Sequence, residues 1–591
     1  MIFHVIFAIL SFSFITQSVS ENKFVEDHPT MSIAVNELDN QFLHLATNEV
    51  SLSSGTKTYV KQNATGAGTG TDWDNALGSG DLVTAIQAGG TIYMAAGIYS
   101  PGVSMNINTN TCVIGGFPNS ATGTEACNNY DPIANQTIID GGASHRILRH
   151  NNIAADTVEL KGLVLRNGFS SATGGAFLSA ITFTTPLSFK FIDLEVSNCS
   201  SSNHGAFYIN EKINLNTEIL FSNCNFNSNS SDRGGAISLF KVRNSDSNSF
   251  LNPEKLIIEG CTFDTNTASG PGGGAINLQE SHQWTFRENT FCANTATAEN
   301  GGAMRIFSGY EIKIIASEFT GNSSNTDGGA LIANQSNLTV SNSIFVGNTT
   351  GTMGRGGVIY GATSSGIEID SSSFYNNVAG SGGAIFWSSG FANLNPNQVV
   401  NSIFVNNTAN ERSNGSQNGG GALKLTNSPW TVANNFFVDN SVSSIGFGGA
   451  ININNATIDL TNNLFYNNQK GTDATILGAD IMTVVPSGNF SPAADNKMQL
   501  SSASVYLPQM GTPDGDDYDF TNDTFSNLDD GSLPSAPTIT CPSGIQAQNI
   551  IVNCPITTEI CDNGIDDDGD GFIDSADDDC CGAQAPVLLK N

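Results

Sequence analysis

Gly301-Gly302-Ala303-Met304-Arg305-Ile306, followed by Phe319-Thr320-Gly321-Asn322, decides the fold, because the chain says this phrase again and again. Gly234-Gly235-Ala236-Ile237, Gly382-Gly383-Ala384-Ile385 and Gly448-Gly449-Ala450-Ile451 repeat the first half. Phe263-Asp264-Thr265-Asn266, Phe345-Val346-Gly347-Asn348 and Phe465-Tyr466-Asn467-Asn468 repeat the second. The second glycine position falls at 175, 205, 235, 274, 302, 329, 357, 383, 421 and 449, mostly in steps of 26 to 30 residues. A fixed period of that size marks a solenoid.

Within each repeat, apolar residues alternate over four to six positions and then break, which is the period of a strand. Only 13% of the 591 residues are charged and 62 are Gly, a composition that suits short strands and turns better than long helices. The expectation is an all-β chain, a right-handed parallel β-helix with about three short strands per coil. Gly302, Met304 and Ile306 face inward in this reading, and Ala303 and Arg305 outward. Phe226, Phe263, Phe291, Phe319, Phe345, Phe374, Phe404, Phe437 and Phe465 form an inward ladder. The Asn three residues after each Phe closes a corner, using the left-handed angles and amide bonding that Asn tolerates.

Working outward, Asp81-Leu82-Val83-Thr84-Ala85-Ile86 has helical spacing and fits a cover for the first coil, whose open edge would otherwise expose core and unpaired backbone. Residues 1–20 read as a secretory signal peptide: an apolar run to Thr16, then Ser18-Val19-Ser20. No Lys or Arg precedes that run, so a buried strand or anchor is the competing reading. Residues 21–55 read as a linker, 56–535 as the β-helix with an N-terminal cap and regular repeats over about 160–470, and 536–591 as a separate acidic module. Export makes disulfides plausible for the eleven Cys. Cys199, Cys224 and Cys261 follow similar phrases and are expected in one column of buried thiols; Cys112 and Cys127 bracket a loop and could pair.

Net charge is −32, with nine Asp and no Lys or Arg in residues 561–580. Such a balance disfavours nucleic acid and anionic membrane surfaces. Within this stretch, Asp566, Asp568 and Asp570 take positions 1, 3 and 5 of a calcium loop, with Gly571 at the tight turn. The Phe572 carbonyl, Asp574 and Asp577 take positions 7, 9 and 12. Asp577 stands where Glu is usual, which shortens the reach for bidentate ligation. Cys561 and Cys580 bracket the loop and could staple it, with Cys581 as a competing partner. Asp514, Asp516, Asp517 and Asp519 form a second, less regular cluster.

The outward position after each Gly-Gly-Ala-x reads Ser238, Asn277, Arg305, Ile332, Tyr360, Phe386, Lys424, Asn452. Ile332, Tyr360 and Phe386 make an apolar run on consecutive coils between Arg305 and Lys424. Either this is an exposed stripe for a sugar chain or protein partner, or the long insertion after Trp387 folds over it. Catalytic signals are sparse. The seven His have no metal spacing, no Ser-His-Asp set is legible, and Glu368 and Asp370 look like ordinary polar-out alternation.

The Gly-Gly-Ala-Ile and Phe-x-x-Asn phrases resemble the repeat of chlamydial polymorphic outer-membrane proteins, which are surface adhesins. Tyr59-Val60-Lys61 through Ala95-Ala96-Gly97-Ile98-Tyr99 resembles the start of secreted parallel β-helix proteins of Bacteroidetes-type bacteria. Cys561-Asp562-Asn563-Gly564 through Gly571 is similar to a metal-binding motif of secreted bacterial proteins, for some of which copper is proposed; oxygen-only ligands favour calcium. These resemblances imply a secreted or cell-surface binding protein that recognises a polysaccharide or a surface protein, with calcium as cofactor. The alternative is a polysaccharide lyase or glycoside hydrolase on the same scaffold.

Overall fold

The structure, a computed structural model, describes residues 57–469 apart from 125–129, 152–156, 181–187, 211–217, 243–255, 364, 389–396, 411–418, 444–447, 455 and 457. Beyond these it describes the strands Ile481–Thr483, Lys497–Met498, Val505–Tyr506 and Thr524–Phe525.

The chain is a parallel β-solenoid. Each strand pairs in parallel with its counterparts on the neighbouring coils in four sheets, three of them starting near the capped end and the fourth, sheet D, running only from Phe169–Ser170 to Ser441–Val442. One coil shows the order: Trp284–Arg287 in sheet A, Thr290–Cys292 in sheet B, Thr295–Ala296 in sheet D and Met304–Phe307 in sheet C. The expected three strands are therefore four, the extra one being the two-residue strand of sheet D. At the first coil the helix Leu82–Ala88 buries Leu82, Ala85 and Ile86 in the core cluster and packs beside the strand Met105–Ile107.

The Phe column is inward, as expected. From Phe226 to Phe465 the rings are wholly buried and stack with centroids 4.5 to 5.1 Å apart. Coils one strand spacing apart, about 4.8 Å, set that distance.

The Asn column closes the corner between sheets B and D. Asn294 Oδ1 accepts from the Asn266 amide N–H at 3.0 Å and from Asn266 Nδ2 at 3.0 Å, while Asn294 Nδ2 donates to the Phe263 carbonyl at 2.8 Å. The same three bonds recur one coil later at Asn322. The side-chain amides of this column are thus satisfied by the neighbouring coils, the condition for burying polar groups at all. The left-handed residue is the one before the Asn, however: Thr265, Ala293, Gly321, Gly347, Asn376 and Asn406 carry the positive φ. The division is physical: one residue turns the backbone and the next ties it.

Two inward assignments change. Ala303 lies in the core cluster together with Met304 and Ile306, so alternation begins only after it. Cys224 and Cys261 share a column at the corner of sheets A and B, continued by Asn289 and Ser317. Cys199 sits in the other corner, its amide bonded to Asn229 Oδ1 at 2.9 Å. Cys112 is buried and free, and Cys127 lies outside the described residues.

Candidate binding face on sheet C

The Gly-Gly pair shapes the ground beside sheet C. A Cβ on Gly302 would stand 2.0 Å from the Gly329 carbonyl oxygen and 2.6 Å from the Ser323 amide nitrogen. The return leg from sheet D to sheet C therefore lies hard against the sheet D strand of the next coil. Strand and return leg make a narrow lobe, with the Asn column and the glycine column as its neck.

The outward column of sheet C runs in register through Ser238, Asn277, Arg305, Ile332, Tyr360, Phe386, Lys424 and Asn452. The column points away from the interior, but it is not an exposed stripe. Ile332 is 1% exposed and Tyr360 6%, and Phe386 is half-buried. Arg355, from the lobe, lies over the two rings. Its guanidinium lies 4.2 Å from the Tyr360 ring centroid and 5.6 Å from that of Phe386. Asp327, one coil back, pins it through contacts of 2.9 and 2.5 Å. Burial opposes the Arg355 charge, but pairing with Asp327 outweighs it and holds its pKa above the ordinary value. Tyr360 and Phe386 thus form a cation–π stack with Arg355.

Arg305 is different. Its Nη1 donates to Asn277 Oδ1 at 3.0 Å and its guanidinium lies 5.0 Å from the Phe307 ring centroid. Among the described residues it forms no ion pair. Burial first, and repulsion from Arg233 second, hold its pKa below the ordinary value. Lys424 is 2% exposed, bonds Asn452 Oδ1 and likewise forms no ion pair among the described residues. Burial alone pushes its pKa down to about 7. Nearer the first coil, His204 stacks on Tyr208 at 4.5 Å, and burial pushes its pKa down to about 4.

One column further along each sheet C strand, the outward residues read Asn210, Phe240, Gln279, Phe307, Asn334 on five consecutive coils. Amide and ring alternate, and all five are half-buried. Each ring carries a cation: Lys241 Nζ lies 5.1 Å from the Phe240 ring centroid, as Arg305 lies beside Phe307. Asn334 Oδ1 is buried without a hydrogen-bond partner among the described residues. Tyr310 is exposed at the same edge, its ring 4.9 Å from that of His282. The signal for this column was in the sequence, at the fourth residue of each strand.

The other candidates separate cleanly. Asp566, Asp568, Asp570, Phe572, Asp574 and Asp577, with Cys561 and Cys580, lie outside the described residues. Among the described residues no three His, Cys, Asp or Glu side chains converge as a metal site would need. Glu368 accepts from Gln398 Nε2 at 2.5 Å and Asp370 from Asn401 Nδ2 at 2.8 Å, so both are tied into rows across coils. At the capped end, a cleft is lined by Lys61, Asn63, Trp73, Asp74 and Asn119. Two of its charges hold a loop in place, Lys61 through the Ala121 carbonyl and Asp74 through the Gly123 amide. Compared with protein-family models and with curated proteins, the chain matches none.

Proposed function

We propose that the chain is an exported surface or matrix protein whose solenoid binds an extended extracellular partner, a polysaccharide or a surface protein, along the outer face of sheet C. The observation that carries this reading is the half-buried column Asn210, Phe240, Gln279, Phe307, Asn334. Aromatic faces and amides set at one-coil intervals suit a ligand that is itself repetitive, and a rigid sheet holds them without an ordering cost on binding. The adhesin-like repeat phrase and the apolar N-terminal run agree with it. In the tail, the alternate carboxylates of Asp566, Asp568, Asp570 and Asp574, with the Phe572 carbonyl and Asp577, are the hard oxygen donors calcium takes. Calcium there would stiffen the acidic module.

The test is a binding screen of the whole protein against polysaccharides and bacterial or host surfaces, with Phe240→Ala/Phe307→Ala beside the wild type. Two lost ring contacts should weaken binding about tenfold or more with the melting temperature little changed. Equal binding by wild type and variant sinks the sheet C assignment. Release of shortened chains during the screen would instead establish the cleaving alternative.

A further inference from the structure

Sheet B changes character half-way along the solenoid. From Glu195–Ser197 onward the middle residue of each of its three-residue strands is buried in the core, so the residue on either side points outward. As far as Glu318–Thr320 these outward positions are polar, apart from Cys292. From Ile344–Val346 to Leu464–Tyr466 all of them are apolar or aromatic except Ser373. Val346, Tyr375, Val405, Val438 and Leu464 form a cluster separate from the solenoid core, with Ile403 and Phe436 half-buried against it. Ile344 stands exposed at its margin. An apolar sheet face of this extent calls for a cover. We propose that the cover is this chain's own residues 526–560, folded back along the outside of sheet B and pinned by a disulfide from Cys292 to Cys541 or Cys554.

The path of the chain supplies the occupant. The last described strand, Thr524–Phe525, belongs to sheet B and stands two coils beyond Leu464–Tyr466, at the apolar end of the sheet. Residues 526–591 therefore set out from the edge of the very sheet that needs covering. Ahead of the acidic loop they carry an apolar run, Ile550-Ile551-Val552, flanked by Cys541 and Cys554.

Cys292 marks where such a segment would be fastened. It shares an outward column with Thr320, Val346 and Tyr375, two coils before the apolar face begins. Cys112, Cys199, Cys224 and Cys261 are free thiols; Cys292 is not one of them, and no described cysteine is its partner. Phe525 lies eight coils further on, about 38 Å, which an extended chain covers in about twelve residues. Cys541 and Cys554 both lie further along the chain than that, so either reaches Cys292 with length to spare. The pairing, unlike the docking, rests on the export reading above, because it needs an oxidising exterior. It is a thiol–disulfide exchange: two protein thiols and one glutathione disulfide yield the protein disulfide and two reduced glutathiones.

Two measurements on the full chain, refolded with glutathione disulfide, test it. In a digest made without reduction, mass spectrometry should find the Cys292 peptide linked to the peptide of Cys541 or Cys554. A link to Cys127, or to Cys292 of a second copy in a covalent dimer, would overturn the tether. Hydrogen exchange should show the amides of residues 550–552 protected. Ile403→Ser/Phe436→Ser, at half-buried positions of the face, should speed their exchange at least about tenfold and leave the coils protected. Unchanged exchange in that variant would overturn the docking. Cys292→Ser should speed the same amides less, because the apolar contacts remain. Protection that persists with Cys292 found as a thiol would overturn the pairing and leave the docking. The refolding supplies the oxidant, so a failure to pair counts against this inference and not against export, and neither measurement depends on what sheet C binds.

Discussion

Inside the solenoid the Phe and Asn columns repeat themselves; outside, the columns of sheet C change from coil to coil. The Phe column runs unbroken from Phe226 to Phe465 and the Asn column from Asn229 to Asn468. The outward column of sheet C passes instead through Ser, Asn, Arg, Ile, Tyr, Phe, Lys and Asn within eight coils. The positions of these two interior columns face like surroundings on every coil, so one answer serves each column. Exterior positions face whatever the lobe, the insertions and the solvent present. What this protein binds must therefore be read from where the exterior departs from repetition, and the alternation at Phe240 and Phe307 is such a place.

The sharpest way to break the interior rule is at its tightest contact. Gly302→Ala places a methyl group 2.0 Å from the Gly329 carbonyl oxygen, backbone that cannot swing aside. Gly347→Ala keeps a positive φ of 62° but meets nothing within 4 Å. The first should cost at least about 3 kcal/mol and open the neighbouring coils, and the second about 1 kcal/mol, the ordinary expense of a left-handed Ala. Urea unfolding, with hydrogen exchange to locate the opened coils, separates them. Equal costs would mean the glycine column serves dihedral freedom and not close approach.

Much of this was legible beforehand because periodicity reports what is periodic. The spacing of Gly-Gly-Ala and Phe-x-x-Asn gave the parallel coils and the buried Phe column without error. Sheet D escaped notice because a two-residue strand has no alternation to detect. For Ile332, Tyr360 and Phe386 the sequence leaves an exposed stripe and a covered one both open, and the insertion after Trp387 lies largely outside the described residues. Alternation says which way a side chain points, not what lies over it, and Arg355 reaches the two rings from a lobe that only the glycine contacts define. Phe240 and Phe307 occupy the second outward position of each strand, two residues beyond the one that carries Ile332, Tyr360 and Phe386.

Lys424 stands between the two regimes, outward in direction yet buried like the core, and its titration tests the cost of that position. Its folded pKa of about 7 lies below the unfolded value of about 10.4. Between those values the unfolded chain holds a proton that the folded chain does not, so this residue's contribution to stability rises with pH from about 7 to about 10. Below pH 7 both states are charged and the full penalty applies. Lys424→Met, which keeps the length and drops the charge, should stabilise the protein at pH 6 by on the order of a few kcal/mol. The gain should shrink toward zero near pH 10. Thermal unfolding of wild type and variant across that range reads the difference directly. A pH-independent difference would place the ammonium in water or beside an anion.

The smallest effect lies at the exposed corners, where neither rule is strict. The residue that turns from sheet A to sheet B has a positive φ on every regular coil, and it is Asn at 342, 401, 434 and 462 but Ala at 316. Asn434 and Asn462 each donate an amide N–H to the Asn one coil back, at 3.2 and 2.7 Å. Ala316 has a φ of 48° and no such bond to give. Ala316→Asn relieves part of the left-handed cost and adds an amide within reach of Asn342, so it should stabilise the protein by about 0.5–1 kcal/mol. The gain should be seen as slower exchange of amides in the adjoining coils. No gain would show that the corner amides answer to something other than backbone angle, and would direct attention to what they meet in solution.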